Sequence, residues 1–377
     1  MSNPHEMSTI DPLLPRRRIL QAGSLAAATT LAPGFLRAAG TMAPIKPDQA
    51  VIGFGHVGPI SDEGWTYTHH LGLLAIKEAY PQAKLLEVQS IPYSADATRT
   101  FRQFVAQGAN LVFVTSEYGD LLHGVSDRAS DIAWLECNGH SVAANRSWYY
   151  VKHWLPSYIT GVAAGLMSKT GKLGYVGSMP VPTVYCGVNA FLMGARSVKP
   201  DATMQVIVIN SWFDPQAAAQ AGTALIDNGC DALFGVMDEA AYLQVAEKRG
   251  VPAVMWNTDV RRYGPKSYVS SVMLDWTKFY VEQARARLEG EWKPGQQALL
   301  GLGAGVDRDA WGDSVPEPVR AQADAIRTRM LGGWTPFTGE IKDASGKVRV
   351  AKGETMTDMA LYGWDWPIEG VSGLRGA

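Results

Sequence analysis

The chain has 377 residues, 46% of them hydrophobic and 19% charged, with a formal net charge of −2. These are globular proportions for about two domains, and a charge near zero leaves no basic footprint for nucleic acid or an anionic membrane surface. Twelve tryptophans and 14 tyrosines stand out as rings from which a cleft for a planar ligand can be built.

The first 40 residues read as a targeting segment. Pro15-Arg16-Arg17-Arg18-Ile19-Leu20 is a twin-arginine-type start, residues 21–35 are rich in Ala, Leu and Thr, and Leu36-Arg37-Ala38-Ala39-Gly40 offers small residues for cleavage. The apolar stretch is too short for a membrane span, and no cysteine lies near it to carry a lipid. The mature protein is expected free in the periplasm, as a monomer.

From residue 50 strands and helices alternate. Residues 51–54 read as a strand, 64–80 as a helix, 84–88 as a strand, 95–107 as a helix, and 111–115 and 132–136 as strands. The pattern restarts with a helix at 155–169, then strand 172–176, helix 184–198, strand 205–209, helix 215–228, strand 232–236, helix 239–249 and strand 253–256. This alternation predicts an α/β protein with parallel sheets covered on both faces. Two similar units without a Ser/Gly-rich linker predict two Rossmann-like lobes joined by several crossing strands. A ligand would sit between them, at the carboxyl ends of the strands. The expected division is 48–158 for the first lobe, completed by part of 285–335, and 159–284 for the second. Residues 318–331 add a helix, 336–354 a hairpin turning at Ala344-Ser345-Gly346, and 362–373 an irregular aromatic tail packed on the body.

Gly53, Gly55 and Gly58 have the spacing G-x-G-x-x-G after an apolar run. A dinucleotide loop needs the third glycine to open a helix onto the pyrophosphate. Here Pro59-Ile60-Ser61-Asp62-Glu63 follows, with Ser61 or Asp62 as the expected N-cap, and two carboxylates occupy the place of a phosphate. The preferred reading is a turn that lets the 62–65 loop reach into the cleft with Trp65 as a stacking face. Glu87 keeps a ribose-binding acid available, so an exported NAD(P)-dependent oxidoreductase stands as an alternative.

Cys137, Cys186 and Cys230 are odd in number and lack metal-ligand spacing, which predicts buried free thiols. Asp62/Glu63 and Asp238/Glu239 read as helix starts, not acid–base pairs. His69 and His70 are helix neighbours that point apart, although His69 shares a face with Trp65. No nucleophile elbow, H-E-x-x-H or Walker loop occurs. A binding protein without cofactor or metal is therefore expected; a purine-processing hydrolase is the enzymatic alternative.

The runs GPISDEGWTYTHHLGL, SYITGVAAGLMSKTGKLGYVGSMPVPTVYCGVNAFLMGARSVKP and VINSWFDPQAAAQAGTALIDNGCDALF resemble the basic membrane protein family, the PnrA-like solute-binding proteins of ABC transporters. That resemblance implies a type I periplasmic-binding-protein fold that captures purine nucleosides or bases for a membrane permease. It matches Trp65 to the first stacking aromatic and Trp212 of SWFDP to the second, with Phe213 adjacent. The polar group at the fourth strand's end matches the Glu136–Asn138 stretch, where Glu136 would accept from an exocyclic amine. Asp238, Asn257 and Asp259 come from the loops after later strands, and Asp62 from the first loop. The family's ribose-binding lysine is replaced by Leu274, Asp275 and Trp276, which resembles nucleobase binders. Trp276 would then fill the ribose space, and Asp275 would accept from the base. A free purine, adenine first, is expected; a nucleoside is the alternative.

Overall fold

The computed structural model describes residues 42–60 and 63–374. The targeting segment and Asp62 lie outside the described residues. The first sheet holds β1 (Val51–Gly55), β2 (Lys84–Val88), β3 (Leu111–Val114), β4 (Ala133–Cys137), β5 (Arg146–Val151) and β11 (Gln297–Leu300). Its order is β11-β5-β4-β3-β1-β2, with every pair parallel. Helices α1 (Trp65–Ala79), α2 (Ala95–Ala106), α3 (Asp120–Ser126) and α8 (Thr277–Glu289) accompany it, α8 packed on α1.

The second sheet runs β12-β10-β9-β8-β6-β7-β15. Its strands are β6 (Lys172–Gly177), β7 (Thr203–Val208), β8 (Ala232–Val236), β9 (Ala253–Asn257), β10 (Tyr268–Leu274), β12 (Val306–Arg308) and β15 (Val371–Ser372). Only β12 pairs antiparallel. Helices α4 (Trp154–Met167), α5 (Pro182–Arg196), α6 (Pro215–Asp227), α7 (Ala241–Arg249) and α9 (Glu317–Leu331) cover it. The small residues of α4 and α5 have a direct cause. A Cβ at Gly161 would lie 2.1 Å from the Phe191 carbonyl oxygen, and one at Gly194 2.1 Å from that of Tyr158. The two helices touch backbone to backbone, which only glycine permits.

The chain passes between the sheets three times, at 152–153, 275–276 and 301–305. One element falls differently from the expected division: helix α8, mostly within 159–284, packs on α1 of the first lobe. From the 285–335 stretch β11 joins the first sheet, while α9 packs on α4 of the second lobe.

The glycine motif has a packing explanation. Gly53 and Gly55 lie within β1, where a Cβ would sit 3.0 Å from Phe104 and 3.0 Å from Ile91 respectively. They make room for α2 and its connection, and α1 starts at Trp65, well after Gly58. Glu87 is held by His56 Nε2 at 2.9 Å and His70 Nδ1 at 2.8 Å, so it serves internal histidines.

Strands β13 (Ile341–Lys342) and β14 (Val348–Val350) pair antiparallel, turning at Gly346 with φ +85°. The tail beyond is more regular than its sequence suggests: helix α10 (Asp358–Tyr362) is followed by β15, which extends the second sheet beside β7. All three cysteines are free and buried. Among the described residues no helix is long and apolar enough to cross a membrane, and no group of side chains is arranged to hold a metal ion.

Candidate ligand-binding cleft

A cavity of about 670 Å³ opens between the two sheets, within the range of small-molecule sites. The first lobe contributes the turn after β1, Trp65 of α1, and residues just past β2, β3 and β4: Tyr93, Ser116, Glu117, Asn138 and His140. The second contributes Val181–Thr183 after β6, Trp212 and Phe213 after β7, Asp238 after β8 and Trp256 of β9. None of the described lining residues is lysine or arginine.

Trp65 is held on several sides. Its Nε1 donates to the Thr115 carbonyl at 2.7 Å. Behind it, His69 and Trp276 meet it edge-on, with centroids at 4.7 and 5.7 Å. These two rings stack on each other at 4.6 Å, His69 Nδ1 lies 2.6 Å from the Tyr280 hydroxyl, and Trp276 Nε1 donates to Thr68. Burial pushes the His69 pKa well below its ordinary value, so the ring is neutral. His69 and Trp276 therefore brace the stacking ring from outside the cavity. Trp276 is not among the residues that line the cavity.

Trp212 and Phe213 are 39% and 55% exposed, and neither has an aromatic partner among the described residues. They line the same cavity as Trp65, from the other lobe. Asp238 joins the lobes: Oδ1 accepts from the Trp65 backbone N–H at 3.1 Å and from Asn257 Nδ2 at 2.8 Å. Beside it, Thr258 donates to the Glu63 carbonyl at 2.6 Å, and Arg262 pairs with the Glu63 carboxylate.

Trp65, Trp212 and Asp238 thus share one cavity, while the other expected residues stand elsewhere. Asn257 is fully buried behind Asp238. Asp259 and Asp275 border a separate hollow of about 700 Å³ with Tyr67 and Arg262. Asp259 is paired with Arg261 and Asp275 accepts from Thr277 N–H and Oγ1. Glu136 does not line the cleft. Its carboxylate is buried and accepts from Tyr118 N–H at 2.8 Å and Gly119 N–H at 3.1 Å, with His123 Nε2 at 2.9 Å. These contacts lie at the start of α3, where an anion satisfies unpaired backbone donors.

Asn138, at the other end of the Glu136–Asn138 stretch, takes the cleft position instead. The remaining unforeseen carboxylate is Glu117, whose Oε1 lies 3.0 Å from His140 Nδ1. Asn138 directly follows β4 and Glu117 lies three residues past β3; closeness to a strand's carboxyl end is the signal that points to Glu117. Tyr93, Tyr150 and Tyr362 complete an aromatic wall, and burial raises the pKa of each, so all three act as neutral hydroxyls.

Residues 49–308 match the family described as ABC transporter substrate-binding protein PnrA-like. The chain is 35% identical over 323 residues to a purine-binding protein of Brucella abortus, covering 85% of this chain and 92% of that one. It is 31% identical over 278 residues to a putative ABC transporter glucose-binding protein of Haloferax volcanii, covering 73% and 71%. Among solved structures, an ABC transporter solute-binding protein of Conexibacter woesei superposes with a TM-score of 0.63 at 20% identity, over 75% of this chain and 97% of that one. A solute-binding protein of Aeropyrum pernix gives 0.63 at 16% identity, over 80% and 93%. The fold is thus the two-lobed α/β arrangement of type I periplasmic binding proteins.

Proposed function

The chain belongs to the PnrA-like family of ABC transporter substrate-binding proteins, and from that premise we propose that it captures a free purine base, adenine first, for delivery to a membrane permease. The observation that carries this reading is the pair of aromatic faces across one cavity: Trp65 from the first lobe and Trp212 with Phe213 from the second. Each ring-on-ring contact contributes about 0.5–1.5 kcal/mol beyond area burial. A base gripped from both lobes stabilises their closed arrangement, so binding and closure are one equilibrium. The absence of lysine and arginine among the described lining residues suits a neutral ligand. Glu117 is placed to accept from an exocyclic amine, and Asn138, Ser116 and Thr183 to meet ring nitrogens. The site operates without a chemical step. The curated purine-binding relative supports the ligand class. The twin-arginine-type start supports export to the periplasm.

A nucleoside is the second reading, favoured by one observation: Trp276 lies behind Trp65 and leaves the 670 Å³ cavity open for a sugar. Tryptophan fluorescence of unfolded and refolded protein decides between them, titrated with adenine, hypoxanthine, adenosine, glucose and NAD. Saturable quenching by adenine at micromolar concentration, on the order of −8 kcal/mol, is the expected result. Tighter binding of adenosine would establish the nucleoside reading, and a response to glucose or NAD alone would remove both.

A further inference from the structure

The region matched by the family ends at residue 308, yet the cavity wall includes Tyr362, from the tail beyond it. The tail is fastened at many points. Thr357 caps α10 by accepting from Ala360 N–H at 3.2 Å, and Lys152, at the first crossing between the lobes, binds Asp358 at 2.6 Å. Past Tyr362, Asn189 donates to the Trp366 carbonyl at 2.8 Å and accepts from Ile368 N–H at 3.0 Å, and Arg196 donates to the Glu369 carbonyl at 2.6 Å. The second lobe thus holds the tail while Tyr362 reaches into the first. There its ring lies parallel to Trp148, 5.2 Å away at 8°, and its hydroxyl stands 3.0 Å from the Gly139 carbonyl oxygen and 3.2 Å from Asn138 Oδ1.

Asn138 has little freedom in its backbone. It holds a left-handed φ of +59°, and its N–H donates to the Tyr149 carbonyl at 2.9 Å. Its neighbour Gly139 is pressed against Trp148, where a Cβ would lie 2.9 Å from that residue's own. What remains free is rotation of the carboxamide, whose two ends differ in hydrogen-bonding sense: the oxygen accepts and the nitrogen donates. Oδ1 faces the Tyr362 hydroxyl, and Nδ2 makes no hydrogen bond among the described residues. Asn138 also borders the cavity.

We propose that Tyr362 is a positioning residue: its single hydroxyl proton, shared between the Gly139 carbonyl and Asn138 Oδ1, holds that oxygen and so turns Asn138 Nδ2 toward the ligand as a hydrogen-bond donor. The tail thereby sets part of the specificity of a site built almost entirely from other strands. A ligand must present an acceptor at that edge, and one presenting a donor leaves two N–H groups facing each other. The ligand arm of the test rests on the purine reading above; the second arm does not.

Tyr362→Phe keeps the ring and its stack on Trp148 and removes only the hydroxyl. Adenine and hypoxanthine exchange donor for acceptor at the 6-position and at N1, so their Kd ratio reports the hydrogen-bonding sense of the site. The expected result is that this ratio moves toward one by at least fivefold in Tyr362→Phe. A purely structural role would weaken both bases together, and a ratio within twofold of the wild type would overturn the proposal. The second arm uses ligand-free, asparagine-labelled protein, with the Asn138 side-chain resonance identified by its loss in Asn138→Asp. That amide is expected to be ordered in the wild type and rotationally averaged in Tyr362→Phe. Equal order in both would overturn the proposal with no ligand present. If no purine binds either protein, the base reading fails and this arm decides the role of Tyr362 on its own.

Discussion

Asp238→Ala separates two contacts made by one carboxylate oxygen. The bond from Trp65 N–H crosses between lobes, whereas the bond from Asn257 Nδ2 lies within the second lobe. Helix α1 has Gly64 at its N-cap and no side-chain cap bond of its own, so Asp238 supplies that cap from the opposite lobe. A cap contributes about 1 kcal/mol, and a negative charge at a helix N-terminus about 0.3–1 kcal/mol more. The sum, about 1.5–2 kcal/mol, is present only while the lobes are together. Since closure and binding are linked, Kd should weaken roughly 10- to 30-fold, at 1.4 kcal/mol per decade. The Asn257 contact survives opening, so it enters fold stability instead. Asn257 is fully buried and its Oδ1 has no hydrogen-bond partner among the described residues; stranding its nitrogen as well should cost about 1–3 kcal/mol. Calorimetric titration reads the first loss and urea unfolding of ligand-free protein the second. Gly64→Ala is the steric counterpart, because a Cβ there would lie 2.6 Å from that of Asp238. It should weaken Kd and separate the lobes in small-angle scattering while leaving the Asn257 contact intact. A Kd change below threefold in Asp238→Ala, with lobe separation unaltered in Gly64→Ala, would refute the cross-lobe cap.

Trp212→Ala should weaken ligand binding about tenfold, the value of one lost stacking face, with little change in melting temperature because the residue lies at the cavity surface and outside the hydrophobic core; a melting temperature that falls with Kd unchanged would make it a structural residue. Glu136→Ala should do the reverse. Two backbone N–H groups and His123 lose their buried partner, at a cost of about 3–5 kcal/mol in urea unfolding, while Kd of the folded fraction stays within about threefold. His153, at the first crossing, is fully buried and desolvation lowers its pKa to about 3. The unfolded chain binds a proton below about pH 6.5 that the folded protein refuses, so stability is full above that pH. It falls as pH drops toward 3, by up to about 1.4 kcal/mol per unit. His153→Phe should flatten its share of that slope between pH 6.5 and 4.5, and an unchanged slope would show that His153 takes up its proton in the folded state.

The parts of this fold that can be read from sequence are those where hydrophobic period and burial agree. Strand β8 is a short, fully buried apolar run between turn residues, and its boundaries coincide with the expected ones. Strand β10 hides because Ser270 and Ser271 interrupt its apolar run; Ser270 Oγ is satisfied by donating to the Asp309 carbonyl at 2.8 Å, so a buried strand tolerates it. Strand β5 opens on Arg146, which reads as surface but is buried with its guanidinium on Ser126 and Asp127. The site divides along a similar line. Trp65 follows a predicted strand and its turn, so the rule that ligands meet strand carboxyl ends points to it, whereas Trp212 and Asp238 are reached through the family resemblance. The same rule nominates Glu136 and Asn138 equally, because it fixes a position along the sheet and not the side to which a chain turns.

What separates those two is the demand for hydrogen-bond partners. The turn leading into α3 presents the backbone N–H groups of Tyr118 and Gly119 just ahead of the helix, where no side-chain cap is supplied. A carboxylate from the neighbouring strand meets that need, so Glu136 is drawn inward, and the left-handed turn at Asn138 sends the chain back toward the cleft. A carboxylate near a ligand is thus a candidate only after the helix starts around it have been supplied. Glu117 fits that condition: its Oε1 meets only a side chain, His140, at the cavity's edge. Tyr362 lies beyond any local rule. Its place depends on tail residues fastened to the second lobe by Asn189 and Arg196, contacts between positions far apart in sequence, to which no periodicity points.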